Sequence, residues 1–186
     1  MNFAIVDLEC TSLKSDQGFL LCGGVKPIGK KPYCVTLADA GFVNGRRTID
    51  GKLAIAIRDE VESFDGIITW NGIMFDVPFL NDRLLFHGAK PMRKMFHIDI
   101  MYQARQGKSR MTSSRLDWVA RKLHVTDKKT DLDIDLWKEA EAEALAHFSN
   151  GRSNFDYIIE HCRKDLLVTE QVYEHLKPRV AMIQKR

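Results

Sequence analysis

The sequence has no long hydrophobic run. None of its apolar stretches approaches the ~20 residues that a membrane-spanning helix needs, so we expect neither a membrane span nor a membrane partner. The amino-terminal stretch MNFAIVDLEC has no basic segment ahead of its apolar run and no cleavage site, which argues against a secretory signal peptide. Together these absences predict a soluble, cytoplasmic protein.

The sequence also lacks the cysteine spacings of zinc sites and redox motifs. Its cysteines form no CxxC pair and no Cys/His pattern; they are Cys10, Cys22, Cys34 and Cys162. We interpret them as scattered small hydrophobic side chains in a reducing compartment. Repeats, low-complexity tracts and linkers are absent too. The 186 residues, 45% of them apolar, therefore suit a single domain over residues 1–186 with a sizeable core. The net charge of +3 permits a polyanionic partner.

Apolar runs in the first half of the chain predict strands. The first three follow one another without an intervening helix, which favours an antiparallel meander, and a fourth ends at an Asn-Gly turn. Their sequences are FAIVDLEC (3–10), GFLLCGGV (18–25), YCVTLADA (33–40) and GIITW (66–70).

Helical spacing dominates the remainder. Predicted helices cover 50–64, a segment that starts at Asp76, 99–106, 113–124, 136–148 and a last region after residue 150. For the last helix we expect Ser153 as the cap, with Asp156 completing a capping box. An apolar stripe runs along it from Cys162 to Leu176. Strands followed by helices predict one α+β or mixed α/β domain.

Asp7 and Glu9 are two residues apart in the first predicted strand. Side chains alternate along a strand, so these two carboxylates point to one face while Leu8 and Cys10 point to the other. Two acids on one face of an apolar strand repel each other and resist burial, and a divalent cation would relieve both costs. The alternative is that the strand simply emerges into solvent at this point.

Asp76 lies at the boundary between a strand and a helix, in the stretch TWNGIMFDVPFL. An aspartate there is a good helix N-cap, which is the simpler interpretation. A cap gives no reason for Asn71 and Phe75 beside it, although Phe75 also suits ordinary core packing. This segment therefore indicates a site as well as a helix start.

His161 and Asp165 are four residues apart in the last predicted helix. At roughly 100° per residue they are about 40° apart and share a face. Alone, such a spacing indicates a solvated surface pair. Taken with the other acids, it suggests carboxylates that converge from several elements. Mg²⁺ prefers such oxygen ligands, and two ions about 4 Å apart can clamp a phosphodiester.

Three motifs in this order resemble the DEDD superfamily of 3′–5′ exonucleases, which has an RNase H-like fold. DLECTSL is similar to the first motif, NGIMFDVPFL to the second and HCRKD to the third. The second has the form seen in exonuclease domains of family B DNA polymerases and their stand-alone relatives. The resemblance implies an α/β fold with a mixed central sheet of about five strands, the first three antiparallel in our prediction, flanked by helices.

The resemblance also implies functional residues. The metal-binding carboxylates would be Asp7, Glu9, Asp76 and Asp165, with two Mg²⁺ or Mn²⁺ ions as cofactors. Contacts to the terminal nucleotide would come from Thr11, Leu13, Asn71 and Phe75. His161 would act as general base or water positioner.

The chain departs from the family pattern at three positions. Cys10 and Ser12 stand where the family usually has threonine and glycine. His161 has the spacing to Asp165 that one branch of the family gives to a tyrosine, whereas the other branch has histidine five residues before the aspartate.

A basic, hydroxyl-rich stretch, RQGKSRMTSSR, offers candidate phosphate contacts at Arg105, Lys108 and Arg110. For any one of these residues, solvated surface charge is the simpler interpretation.

We therefore expect a 3′–5′ exonuclease that acts on DNA, at single strands or 3′ ends, and releases nucleoside 5′-monophosphates. A junction-resolving endonuclease or an RNA exonuclease on the same fold are the alternatives. A catalytically silent nucleic-acid-binding module explains the four acids less well, and a protein-interaction domain explains none of them. A polymerase or repair partner in trans fits the exonuclease interpretation.

Overall fold

A mixed sheet forms the centre of the structure. The computed structural model describes residues 1–43, 45, 48–105, 112–127 and 134–183, with the backbone alone for 105, 134 and 179–183. The strands are β1 (Phe3–Cys10), β2 (Leu20–Pro27), β3 (Tyr33–Thr36), β4 (Gly66–Thr69) and β5 (Phe96–Asp99), in the order β3-β2-β1-β4-β5. β1, β2 and β3 pair antiparallel, whereas β4 and β5 run parallel to β1. The predicted fold class is confirmed.

Helices flank this sheet. They are α1 (Leu37–Ala40), α2 (Gly51–Val61), α3 (Asp76–Phe86), α4 (Ile100–Arg105), α5 (Leu116–Lys122), α6 (Ile134–Leu145) and α7 (Ser153–Ile183). The predicted apolar stripe of α7 is buried, from Cys162 and Leu166 to Val172 and Leu176. None of the helices in the described ranges has the length and hydrophobicity of a membrane span.

Two strand predictions were wrong. The third predicted strand, 33–40, ends at Thr36, because the Thr36 side chain accepts a hydrogen bond from the Asp39 N–H and caps α1. β5 was not predicted as a strand, since its four residues are too few to show a period. Sequence reasoning gave four strands, and only the family resemblance gave about five.

The predicted cap of the last helix was also wrong. Ser153 is the first residue of α7, and the carboxylate of Glu143 in α6 accepts the N–H groups of Asn154 and Phe155. An acid from a neighbouring helix thus takes the place of the local capping box. This contact also fixes the start of α7 against α6.

Two consecutive glycines in β2 let helices approach both faces of the sheet closely. A Cβ at Gly23 would lie 2.7 Å from Ile57 in α2, and one at Gly24 would lie 2.9 Å from Leu166 in α7. Gly24 is opposite Asp7 in β1 and also opposite Cys34 in β3. Because paired residues share a face, α7 covers the face that carries Asp7 and Glu9.

Candidate active site

Asp7 and Glu9 lie at the carboxyl end of β1, the central strand. Their carboxylate oxygens and the Cys162 Sγ atom all lie within 4.8 Å of one another. The predicted alternation is therefore correct, with both acids on one face of β1. Glu9 is 7% exposed, so the strand does not simply emerge into solvent at this residue. Acidic oxygens held this close, one of them buried, favour a bound cation.

Asp76 adds a third carboxylate against the same strand. It is the first residue of α3, and its Oδ1 accepts the Leu8 N–H at 2.9 Å, between the two acids of β1. Its side chain does not cap α3, so the N-cap interpretation is wrong. Burial, with a smaller contribution from the charge of Asp99, raises the pKa of the Asp76 carboxyl to about 7, while the backbone N–H groups of Leu8 and Asp76 oppose the shift.

The turn before α3 depends on an acid that sequence reasoning missed. Asp99, at the end of β5, accepts the N–H groups of Asn71 at 3.1 Å and Ile73 at 3.0 Å. Asn71 has a φ of 70°, a left-handed conformation that asparagine tolerates better than most residues, and its carbonyl accepts the Phe75 N–H. No periodic signal in the sequence marks Asp99, because β5 has only four residues. This turn, anchored by the buried Asp99, leads directly into α3 and so positions Asp76.

α7 supplies the remaining predicted pair. His161 Nε2 lies 3.6 Å from Asp165 Oδ2, and the two side chains are only 6% and 7% exposed. The surface-pair interpretation is therefore wrong. α7 packs directly against β1, which brings this pair to the face that carries Asp7 and Glu9.

A cleft of about 580 Å³ opens beside the acids. This volume is in the usual range for a small-ligand site. Its walls are formed by Leu8, Glu9, Cys10, Thr11, Ser12, Leu13, Phe75 and Trp137. Leu13 is 83% exposed, so its side chain is available to a ligand. Trp137 comes from α6, and no local motif marks it.

The loop between β1 and β2 forms one wall of this cleft and is fixed at both ends. Thr11 closes it, because the Thr11 Oγ1 accepts the Phe19 N–H at 3.1 Å. Ser15, in its middle, donates a hydrogen bond from its hydroxyl to Asp82 at 2.6 Å, and its carbonyl accepts one from Arg83 at 2.9 Å. Two neighbouring residues of α3 thus hold the loop that carries Leu13.

The predicted substrate contacts divide into three groups. Thr11, Leu13 and Phe75 line the cleft, and the Phe75 ring also packs 5.6 Å from the Phe79 ring. Asn71 does not line the cleft and shapes the turn instead. Lys108, Arg110 and the side chain of Arg105 lie outside the described residues.

Three of the cysteines are not scattered, contrary to expectation. The Sγ atoms of Cys22, Cys34 and Cys162 lie within 4.8 Å of one another. Cys162 Sγ is also 3.9 Å from Asp7 Oδ2. The thiols come from β2, β3 and α7 and meet only through strand register and the packing of α7, so spacing patterns could not reveal the cluster.

The donor set fits hard divalent cations. Asp7 and Glu9 present carboxylate oxygens within one small volume, and the raised pKa of Asp76 shows a buried acid short of positive charge. Mg²⁺ and Mn²⁺ select carboxylate oxygens, and a nearby dication favours the ionised form of each acid.

Comparisons with known proteins agree with the fold. Residues 4–177 match the model of a family described as the RNase_H superfamily. Among solved structures, the chain is similar to the family B DNA polymerase from the hyperthermophilic archaeon Pyrobaculum calidifontis, with a TM-score of 0.61 and 17% identity over 92% of this chain. The chain spans only 24% of that polymerase, and at this identity the likeness shows the fold alone. No curated protein matches the chain.

Proposed function

This chain belongs to the RNase H superfamily, and we propose that it is a divalent-metal-dependent 3′–5′ exonuclease acting on DNA and releasing nucleoside 5′-monophosphates. Membership of a nuclease superfamily supports hydrolysis of nucleic acid, and the three motifs resembling DEDD exonucleases support the polarity. One observation carries the proposal. Asp7 and Glu9 share one face of β1, and Asp76 is hydrogen bonded to Leu8 between them.

The proposal assigns the metal-binding role to Asp7, Glu9, Asp76 and Asp165, with two Mg²⁺ or Mn²⁺ ions as cofactors. When bound, such ions supply Lewis-acid stabilisation of the attacking and leaving oxygens of a phosphodiester. The chain's own contribution is to hold the carboxylates rigidly. Asp76 is fixed by the Leu8 N–H, and Asp165 by burial in α7 beside His161.

His161 is proposed to act on the attacking water as general base or positioner. Its imidazole is buried next to Asp165, and histidine titrates near neutral pH. If it acts as the base, the rate rises with pH as the imidazole loses its proton, and His161→Ala removes most of the activity. A fully active His161→Tyr variant with an unchanged pH profile assigns positioning instead. An unaffected His161→Ala variant contradicts both roles.

The cleft is proposed to receive the 3′-terminal nucleotide. Leu13 and Phe75 offer apolar surfaces to the base and sugar, and Thr11 is at the junction of this wall with β1. Trp137 adds an aromatic face of the kind on which bases stack. Contacts of this type tolerate any base, which suits an enzyme that degrades a strand regardless of its sequence.

The decisive experiment follows products from a 5′-labelled oligonucleotide incubated with Mn²⁺. A 3′–5′ exonuclease gives a ladder that shortens from the 3′ end together with mononucleotides. A 3′ end blocked by phosphorothioate linkages stops the ladder, and a circular single strand stays intact. Asp7→Ala is the matched inactive variant and abolishes every product.

Parallel substrates separate the alternatives. Internal cuts in circular or junction DNA would replace the proposal with an endonuclease, and preference for an RNA ladder would change the substrate. A silent module gives no product and no carboxylate-dependent heat of Mn²⁺ binding in calorimetry. Cleavage that Asp7→Ala leaves unchanged would overturn the site assignment.

A further inference from the structure

Three cysteine thiols meet beneath α7, next to the proposed carboxylate site. The Sγ atoms of Cys22, Cys34 and Cys162 all lie within 4.8 Å of one another. Cys22 and Cys162 are fully buried, and Cys34 is half-buried at the edge of the cluster. The fourth cysteine, Cys10, belongs elsewhere, since its thiol lies 3.1 Å from the Ser12 carbonyl.

The backbone explains why these thiols converge. Gly24 is opposite Cys34, and Cys22 lies two residues before Gly24 on the same face of β2. A side chain at Gly24 would collide with Cys162 and Leu166, so Cys162 occupies the space that the glycine leaves. Cys162 therefore lies above Gly24 with a thiol on either side.

The spacing suits one ion bound by three sulfurs. With Zn–S bonds of about 2.3 Å, the three sulfurs of a zinc site lie roughly 3.8–4.0 Å apart. Sulfurs already within 4.8 Å of one another need only small side-chain movements to reach that geometry. A disulfide joins two sulfurs and leaves the third, whereas a single ion uses all three.

The three thiols differ in how readily they ionise: the pKa of Cys34 is lowered, whereas the pKa values of Cys22 and Cys162 are raised. Hydrogen bonds from the Cys162 and Cys22 thiols, with a contribution from the Arg163 charge, lower the pKa of Cys34. Cys34 is the half-buried member of the cluster, so it is the thiol that an ion entering from solvent meets first. Asp7 Oδ2 lies 3.9 Å from Cys162 Sγ, at the edge of the thiol cluster that faces the carboxylates.

We propose that Cys22, Cys34 and Cys162 form a thiolate site for a soft divalent cation of the Zn²⁺ class, separate from the carboxylate site. On binding, each thiol that becomes a ligand releases its proton to solvent, and no oxidation is involved. Cys162 lies beside Asp7, so a cation bound to the thiols changes the charge next to the carboxylate site. The inference does not depend on the proposed nuclease activity.

Cd²⁺ titration of the reduced, metal-free protein tests this site. Excess Mg²⁺ is present throughout, because Mg²⁺ occupies oxygen sites and leaves thiolates free. We expect a near-ultraviolet sulfur-to-cadmium charge-transfer band that saturates at one equivalent and is displaced by Zn²⁺. Cys10→Ser is the matched control and titrates like the unmodified protein. In Cys34→Ser and Cys162→Ser the affinity falls more than about a hundredfold, because even outer-shell losses cost 10–100-fold.

Two results would overturn the proposal. One is no charge-transfer band in the unmodified protein. The other is a Cys34→Ser variant, folded by circular dichroism, that binds Cd²⁺ like Cys10→Ser. A measurement on the unmodified protein tests the site even if the cysteine variants misfold. Zn²⁺ should slow alkylation of Cys34 by iodoacetamide at least about tenfold, as expected for a ligand held by metal, and an unchanged rate contradicts the site.

Discussion

Asp50 and Asp76 are both buried aspartates at the start of a helix, yet their surroundings differ. Each accepts a backbone N–H from the strand region beside it, from Leu20 and Leu8 respectively. Asp50 also forms an ion pair with Arg83, with N–O distances of 2.6 and 2.9 Å. Asp76 instead has a second acid, Asp99, among the groups that raise its pKa. The first acid is paired with a cation within the fold, whereas the second has another acid beside it, which fits the metal-binding role proposed for it.

The contrast distinguishes structural acids from candidate metal ligands. A buried carboxylate with its own guanidinium contributes to cohesion, because removing either partner leaves a charge uncompensated. A buried carboxylate held by N–H groups and repelled by another acid reduces stability in the metal-free protein. Strain of that kind is typical of functional positions.

Substitution at the strained acid should have the largest effect on activity. We expect Asp76→Asn to lower kcat/KM for the proposed hydrolysis at least about a thousandfold, or roughly 4 kcal/mol. The amide still accepts the Leu8 N–H, so the fold is preserved. Asp59→Asn, in an exposed pair with Arg58, is the control and leaves the rate unchanged. An active Asp76→Asn enzyme would remove Asp76 from the site.

Substitution at the paired acid should have the largest effect on stability. Asp50→Asn leaves the buried Arg83 without its carboxylate, so we expect the free energy of unfolding to fall by about 3–5 kcal/mol. Urea denaturation measures this loss. A cost below about 1 kcal/mol, typical of exposed pairs, would show that the Asp50–Arg83 pair is not structural.

The stability of the metal-free protein should depend on pH through Asp76. Because the folded-state pKa of Asp76 is raised to about 7 from 3.8, ionising it costs stability that accumulates as pH rises from about 4 through 7. In metal-free protein at pH 8, Asp76→Asn should therefore be more stable than the unmodified chain by roughly 2–4 kcal/mol. The difference should vanish near pH 4. Equal stability at both pH values contradicts the raised pKa.

The smallest effect should come from the loop between β1 and β2, which Asp82 and Arg83 of α3 hold in place. Ser15→Ala removes the hydrogen bond to Asp82 and keeps the one from Arg83 to the Ser15 carbonyl. We expect KM to rise about fivefold with little change in kcat, for a loss of about 1 kcal/mol. Ser63→Ala, at the far end of α2, is the matched control. A change in kcat with constant KM would place Ser15 closer to the reacting atoms.

Sequence reasoning predicted the parts of the site that follow from the periodicity of a single strand or helix. Alternation along β1 placed Asp7 and Glu9 on one face, and helical spacing paired His161 with Asp165. The periodicity of four strands and the main helices was also readable, although their order in the sheet was not.

The remaining features depend on contacts between distant segments. The thiol cluster requires the register of β2 with β3 and the position of α7 above both. Trp137 reaches the cleft from α6, and Glu143 caps a helix that is not its own. No spacing within one segment predicts such contacts, because they arise from packing.

Gly24 has a consequence for how α7 can be placed. Because Gly24 has no side chain, a space is left in the middle of β2, and Cys162 fills it. Sliding α7 by one turn, about 5.4 Å, would bring a different side chain above that space and carry His161 and Asp165 away from β1. Gly24, which has no side chain, thus fixes the position of the 31-residue helix α7 along the sheet. We expect Gly24→Ala to displace α7 and so to move the His161–Asp165 pair without contacting it.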